Sequence, residues 1–458
     1  MSLFHHRRAT RSGLLAVILV CFVVLAGDAA VRPPPLDHEI TTLPNGLTVV
    51  LHEDHSTPIV NVQIWYHVGS RDERPGRTGF AHLFEHMMFK GTENVTSEAH
   101  TSWIASIGGQ SNAFTTEDAT VFHETVPAQY LPLALWLEAD RMASLKVEEQ
   151  TFRTEREVVK EERRQRVESQ PYGRLSEIIY DQAYTRHSYK HPVIGSMADL
   201  EAASIEEVRA FHEAYYRPDN ATLVLAGDFD PKVARDLIQQ YFGRVPKPAK
   251  PVVRDIPREP PQTAEKRLTL EEEWPLPVVV VAHHVTFDGN PDSYPLHVAA
   301  KILSDGQSSR IYRRLVYKEG SAVTAFGTAS LNEDPSLFYA AAIVAPGHEP
   351  EEVANALIDE LEKLGKEPVS EHVLTRAKNQ FARDYIVMRQ TVSGKGQQLG
   401  HAVVIHNDVT TADGEFDIFQ GLTADDVQRV ARTYFKSESR TVLTILPKGM
   451  RETGANGR

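Results

Sequence analysis

The feature that most narrows the fold of this chain is a repeat of domain length. The segment SIEEVRAFHEAYYRPDNATLVLAGD, residues 204–228, lies over TADDVQRVARTYFKSESRTVLTILP, residues 423–447, without a gap and at a constant offset of 219 positions. Each copy reads as an acidic helix start, apolar residues at helical spacing, an aromatic pair (Tyr215-Tyr216, Tyr434-Phe435), a polar turn and a β-rich run. A period this long belongs to a domain rather than to a solenoid unit, so the sequence predicts two similar α/β domains in tandem. The proline-rich, aperiodic stretch VPKPAKPVVRDIPREPPQ, residues 245–262, suits a linker between them. A cleft between the two halves is then the natural place for a site.

The remaining boundaries follow from composition. At 458 residues, 41% hydrophobic and 24% charged, the chain is too long for one core and too apolar to be disordered. Basic residues Arg7, Arg8 and Arg11 precede an apolar run from Leu14 to Ala26 and small residues at Gly27, Ala29 and Ala30, the layout of a secretory signal peptide cleaved after Ala29. The run is short for a membrane span, so the expected location is periplasmic or otherwise exported, membrane-anchored only if the signal is kept. The expected organisation is a signal peptide over 1–29, a first domain over 38–244, the linker over 245–262, a second domain over 263–447 and a tail over 448–458.

The only cysteine, Cys21, sits inside the signal. The mature chain therefore has no disulfide framework and no thiol nucleophile, and any metal must be held by His, Asp or Glu. A net charge of −13, three more negative once Arg7, Arg8 and Arg11 are removed, argues against nucleic acid or an anionic membrane surface as partner.

Within the first half, GLTVVLHED and PIVNVQIWYHVGS read as strands, Thr78–Lys90 as a helix, a second helical stretch follows Ser97, residues 108–127 read as a hairpin, and two longer helices span roughly 128–145 and 149–168. The first of these helices carries His82-Leu-Phe-Glu85-His86. Residues i and i+4 share a helix face, so His82 and His86 can converge on one ion, while Glu85 projects beside them and can reach a metal-bound water without being a ligand.

A third ligand has to come from elsewhere. In TEREVVKEERRQRVE, residues 154–168, Glu155, Val158, Val159 and Glu162 share one helical stripe, and the two valines mark it as inward-facing. Glu162 is the best ligand candidate and Glu155 a group that supports a ligand; Glu157 and Glu161 lie toward the basic solvent side. A chain with 20 histidines holds some i, i+4 pairs by chance. The case for one zinc ion and hydrolysis rests on the pair together with the glutamate stripe.

Residues 45–92, from NGLTVVLHED to AHLFEHMMFKGT, with NAFTTEDATVFHETVP, EREVVKEE, HPVIGS and RPDNATLVLAGDFDP, resemble the pitrilysin family of inverted-zincin (HxxEH) metallopeptidases, over roughly residues 38–447. The resemblance implies an α+β fold of two tandem homologous domains, each a mostly antiparallel sheet with helices packed on it, facing across a cleft. It implies zinc on His82, His86 and Glu162, the last 76 residues after His86, with Glu155 orienting a histidine and Glu85 as the general base. The implied activity is endopeptidase action on peptides or unfolded segments. It further implies an edge strand over SNAFTTED that pairs with an extended substrate, with Asn112 and Ala113 as the backbone contacts.

The second half has no HxxEH and no carboxylate-rich counterpart of 154–168, and is expected to be inactive. Self-sufficient relatives supply from this half an arginine and a tyrosine seven residues apart that hold substrate and the developing oxyanion. The matching positions here are Val316 and Val323; Arg310 and Tyr317 also stand seven apart, but six residues early, where the family has a helix start. The chain thus resembles the catalytic subunit of two-component bacterial relatives, and the mitochondrial processing peptidase is likewise a heterodimer. The implied partner is a homologous subunit without the zinc motif that supplies the pair. A non-catalytic structural homologue and a zinc-binding protein without hydrolase activity are the rival readings. HHVTF, 283–287, reads as a strand end, LGHAVVIHND as helix core, and His187, His191, His401 and His406 have no carboxylate at ligand spacing along the chain.

Overall fold

Strand-forming runs of β-branched and aromatic residues build two sheets among residues 32–450, the part of the chain that the computed structural model describes. The signal peptide expected over 1–29 and the tail beyond Met450 lie outside the described residues. The first sheet contains β1 (Glu39–Thr42), β2 (Thr48–Glu53), β3 (Ile59–Tyr66), β4 (Gln110–Thr115), β5 (Thr120–Pro127) and β6 (Ala221–Gly227), in the order β1-β2-β6-β3-β5-β4. The second contains β7 (Lys266–Glu272), β8 (Val278–His284), β9 (Ala322–Ser330), β10 (Leu337–Val344) and β11 (Arg440–Pro447), in the order β7-β11-β8-β10-β9. Without β1 the two orders are the same. In each sheet one pair is parallel, β2 with β6 and β7 with β11, and the other pairs are antiparallel.

The helices that matter for the site are α1 (Phe80–Met87), α2 (Glu149–Arg163), α3 (Leu175–Ala183), α4 (Ile205–Tyr215), α5 (Ser293–Ser304), α6 (Val392–Val404) and α7 (Ala424–Tyr434). The repeat holds residue for residue: α4 and α7, the single turns 218–220 and 437–439, and the starts of β6 and β11 all stand 219 positions apart. Both helices open on a capping box, Ser204 with Glu207 and Thr423 with Asp426, in which each cap side chain accepts from the third backbone N–H and the acidic side chain accepts from the cap N–H. Such caps satisfy donors that a helix start leaves orphaned.

Each sheet packs one face on helices of its own half. Leu47, Val62, Ile64, Leu223 and Leu225 meet α1, α2, α4 and the helix Leu131–Ser144, while Val279, Val281 and Phe338 meet α5, α7 and the helix Pro350–Lys366. The other faces are covered by exchange. Val50, Trp65 and Val224 of the first sheet lie under Leu399 and Ala402 of α6; Val278, Val280, Leu443 and Ile445 of the second lie under Leu175, Ile178 and Ile179 of α3.

Close approach of α6 needs small residues. A Cβ on Gly400 would overlap the Trp65 ring, and one on Gly396 would stand 2.8 Å from Gln63 Nε2. Gln63 uses that nitrogen to donate 2.9 Å to Ser393 O, while its Oε1 accepts from Trp65 Nε1 at 2.8 Å. Lys395, one turn before Leu399, pairs with Asp54 at the end of β2.

A buried ionic cluster also joins the halves. Arg71, 3% exposed, donates to Glu333 at 2.6 Å and to Asp334 at 3.0 Å in the turn between β9 and β10, and lies 3.4 Å from Asp118 in the β4–β5 turn. Tyr189 Oη donates 2.6 Å to Asp118 and accepts from Asp334 N at 3.0 Å.

Three local expectations change. The helix expected over 78–90 is shorter, 80–87. The one expected over 149–168 ends at Arg163 and widens into a π-helical turn over 164–168. Val158, placed inward with Val159, is 44% exposed; the buried positions of α2 are Phe152, Glu155, Val159, Lys160 and Arg163.

Candidate metal centre

The local sequence makes α1 two-faced. Phe80, Leu83, Phe84 and Met87, at i, i+3, i+4 and i+7, are buried against the first sheet, which leaves His82, Glu85 and His86 on the opposite side. The start of the helix is held by a buried carboxylate: Glu73 accepts from Gly79 N at 2.8 Å and from Ala81 N at 2.7 Å. That carboxylate meets donors the helix cannot satisfy and the positive end of its dipole. Gly79 has φ +92° and packs on Gly195, φ +76°; a Cβ on Gly79 would come within 2.8 Å of Ile194 O.

Helix α2 crosses beside α1 and brings Glu155 and Glu162 to that polar face. Glu162 Oε2 lies 3.7 Å from His82 Nε2 and 3.2 Å from His86 Nε2. The two imidazole rings are 4.9 Å apart and inclined by 78°. Tetrahedral zinc with ligand bonds near 2.0–2.1 Å sets its ligand atoms about 3.4 Å from one another. The observed separations bracket that value, and two imidazoles with a carboxylate are a donor set zinc takes, so the three residues fit the ion.

The surrounding groups fix these three. Arg166 stands 2.5 Å from the other oxygen of Glu162, leaving Oε2 to the histidines. Glu155, buried, lies 3.6 Å from His86 Nδ1 and is itself 3.3 Å from Lys90 Nζ. Burial and the adjacent His86 push the His82 imidazole down, to about 4. Burial also acts to lower His86, but Glu155 and Glu162 outweigh it and raise that ring to about 9. The Glu162 carboxyl is held low, chiefly by His86.

Glu85 faces the same cavity, of about 450 Å³, as His82, Glu162 and Arg166. Its Oε2 accepts from Thr115 Oγ1 at 2.6 Å, and burial raises its carboxyl above the usual range. Ala113 and Thr115 of β4 line the cavity, and β4 is the open edge of its sheet. Asn112 does not reach the cavity wall; its Oδ1 accepts from Ala113 N at 2.9 Å.

None of Arg310, Tyr317, Val316 and Val323 lines this cavity. Tyr317 is 62% exposed, and its hydroxyl donates 3.1 Å to Gln307. Val316 packs against the core of the second half.

Several functional neighbours escaped the sequence. Thr115 lies inside the expected edge strand, but only the packing of α1 beside β4 brings its hydroxyl to Glu85. Arg166 was legible as an i, i+4 partner of Glu162; Lys90 was not, since it lies 65 residues from Glu155. The histidines expected to lack carboxylates have them through space. His187 Nε2 lies 3.4 Å from Asp334, His191 Nδ1 lies 3.7 Å from Glu73, and His401 and His406 both face Asp288. Chain spacing could not show these pairings because each joins separate elements.

Comparison with known proteins shows the family. Residues 48–196 match the model described as insulinase (peptidase family M16), and residues 202–381 the model described as the peptidase M16 inactive domain. Zinc protease PqqE of Helicobacter pylori is 30% identical over 441 residues, 95% of this chain and 98% of that protein. A probable mitochondrial-processing peptidase subunit beta of Arabidopsis thaliana is 25% identical over 435 residues, 93% of this chain and 81% of that protein. The crystal structure of a protease from Helicobacter pylori superposes with a TM-score of 0.85 at 30% identity, over 90% of this chain and 99% of that one. Among the described residues no helix is long and apolar enough to cross a membrane.

Proposed function

The chain belongs to peptidase family M16, the pitrilysin-type zinc proteases, and from that premise we propose that it is a zinc-dependent endopeptidase with His82, His86 and Glu162 as metal ligands and Glu85 as general base. The observation that carries the reading is the convergence of both imidazoles and Glu162 Oε2, with His82, Glu85 and Glu162 lining one cavity and an open strand edge alongside. When bound there, zinc supplies a Lewis acid for a peptide carbonyl and acidifies a water.

The chain's own residues do the rest. Glu85, held by Thr115 through one oxygen, takes a proton from the attacking water on the other and returns it to the departing amide nitrogen. A carboxyl raised by burial is suited to both transfers. Glu155 fixes the His86 ring, and Arg166 fixes Glu162. An extended peptide adds to β4 by main-chain hydrogen bonds, displacing the Asn112 side chain from Ala113 N. Glu85→Gln is expected to lower cleavage of a mixed peptide substrate by about 10²-fold or more while the protein keeps its zinc; turnover near that of the unaltered protein would overturn the assignment of the base.

The chain is the catalytic subunit of a heterodimer, exported by its N-terminal signal. Val316 and Val323 stand where self-sufficient relatives carry the arginine and tyrosine, and one relative is named as a subunit. The partner is a homologous chain without HxxEH that supplies the pair. Co-purification from the native host followed by a peptide assay with and without chelator tests this. Full activity of the isolated chain would refute the heterodimer and leave the peptidase standing.

A further inference from the structure

A second histidine–histidine–carboxylate group lies outside the candidate active site. Asp288, in the turn after β8, faces His401 on α6 and His406 just beyond its end. His401 Nε2 is 3.2 Å from Asp288 Oδ2, and His406 Nε2 is 3.3 Å from Asp288 Oδ1. The two rings are 4.9 Å apart and inclined by 81°, against 4.9 Å and 78° for His82 and His86. The same imidazole arrangement thus occurs twice, once where the family places zinc.

The second group is built rather than incidental. The His406 side chain is 3% exposed, yet its Nε2 is buried without a hydrogen-bond partner, because the approach to Asp288 has the distance of a hydrogen bond and not its direction. A buried ring nitrogen left so is costly unless something else takes its lone pair or proton. Its other nitrogen lies 2.9 Å from Thr411 Oγ1, which sets the ring's orientation as an outer partner does for a metal-bound imidazole. Gly289, φ +81°, lets the Asp288 turn come against the ring: a Cβ there would stand 3.1 Å from His406 Cδ2. His401, His406, Thr411 and Glu415 border a cavity of about 290 Å³, with room for water as a further ligand.

A third cluster shows what a purely ionic arrangement looks like. Around His100, Glu124 and Glu138, the Arg141 guanidinium donates to Glu138 and His100 pairs with Glu124, so the carboxylates already have partners from the chain. Among the described residues neither Lys nor Arg pairs with Asp288.

We infer that Asp288, His401 and His406 form a second divalent transition-metal site, separate from the peptidase centre. Two imidazoles and one carboxylate favour zinc, cobalt or nickel over the all-oxygen preferences of calcium and magnesium. The ion ties the turn after β8, in the second half, to the end of α6, the helix that covers the first sheet. Its role is to pin a structural crossing, and no part in hydrolysis is assigned to it.

The test is cobalt stoichiometry and visible absorption of the full chain after chelator stripping. Wild type is expected to take up two equivalents, His82→Ala/His86→Ala one, and His406→Ala one. Asp288→Asn, nearly isosteric, guards against misfolding of the histidine variant and is also expected to take up one. The H82A/H86A protein should melt at a higher temperature with cobalt than without, and lose that rise when H406A is added. One equivalent in wild type that vanishes in H82A/H86A, or two retained by both H406A and D288N, would overturn the site. Neither outcome depends on peptide cleavage.

Discussion

The two halves share strand order and repeat register, and they differ at the helix that follows the third strand of the common order. In the first half α1 buries Phe80, Leu83, Phe84 and Met87 and turns His82 and Glu85 to the cavity, with His86 one turn on from His82 beside Glu162. Its counterpart α5, after β8, is buried along nearly its whole length, and its one histidine, His297, packs on Phe419. The same holds for α2 and the helix Glu371–Met388, which takes its place in the order of the second half. The inner face of α2 includes Glu155, whereas the inner positions of Glu371–Met388 are Leu374, Ala377 and Tyr385. The fold therefore asks only for an apolar stripe, and the chemistry resides in polar positions that one copy has and the other lacks.

That contrast can be broken most directly at Glu85. Glu85→Gln should lower kcat by about 10²- to 10⁴-fold or more with zinc content unchanged, while His297→Leu in the counterpart helix should leave cleavage intact; steady-state assays with metal analysis check both. The next largest effect concerns how the halves are held together. Arg71→Met leaves Asp118, Glu333 and Asp334 without their buried cation and should cost about 3–5 kcal/mol, read as a lower urea midpoint. Glu155→Gln should weaken zinc binding about 10- to 100-fold, measured by competition with a chromophoric chelator. An equal loss on replacing Glu157, which faces solvent, would erase the distinction between the faces of α2.

The smallest effect is a pH dependence. Burial opposes ionisation of Asp54, but Lys395 outweighs it and holds the carboxyl at about 2, below its ordinary 3.8. A depressed carboxyl contributes stability that is present above pH 4 and is lost as pH falls toward 2. With solvent screening the contribution is at most about 1 kcal/mol. Lys395→Met should flatten the acid limb between pH 4 and 2 by lowering stability above pH 4 by about that amount, leaving the value near pH 2 nearly unchanged.

The linker-like stretch and the HxxEH helix were legible because composition and an i, i+4 pair are properties of neighbouring residues, and the repeat because its two copies align without any knowledge of the fold. Glu162 was reached through its stripe and by resemblance, although one of the two valines used to orient that stripe, Val158, points to solvent. What could not be read is what separate elements make together. Nothing near His401 and His406 announces Asp288. The Arg71 cluster joins a turn after β3 to one after β9, and α6 reads as an ordinary amphipathic helix until Gly396 and Gly400 are seen against Gln63 and Trp65.

The exchange of α3 and α6 bears on how such a molecule can be divided. A gene split at the proline-rich stretch would yield a first piece showing Val50, Trp65 and Val224 to water and a second showing Val278, Val280 and Ile445, each an invitation to aggregate. A protease cut at the same place in the finished molecule should release nothing, because each fragment still wears a helix belonging to the other. Two fragments that co-migrate under native conditions and part only in denaturant would show that the polypeptide link is dispensable once folding is complete.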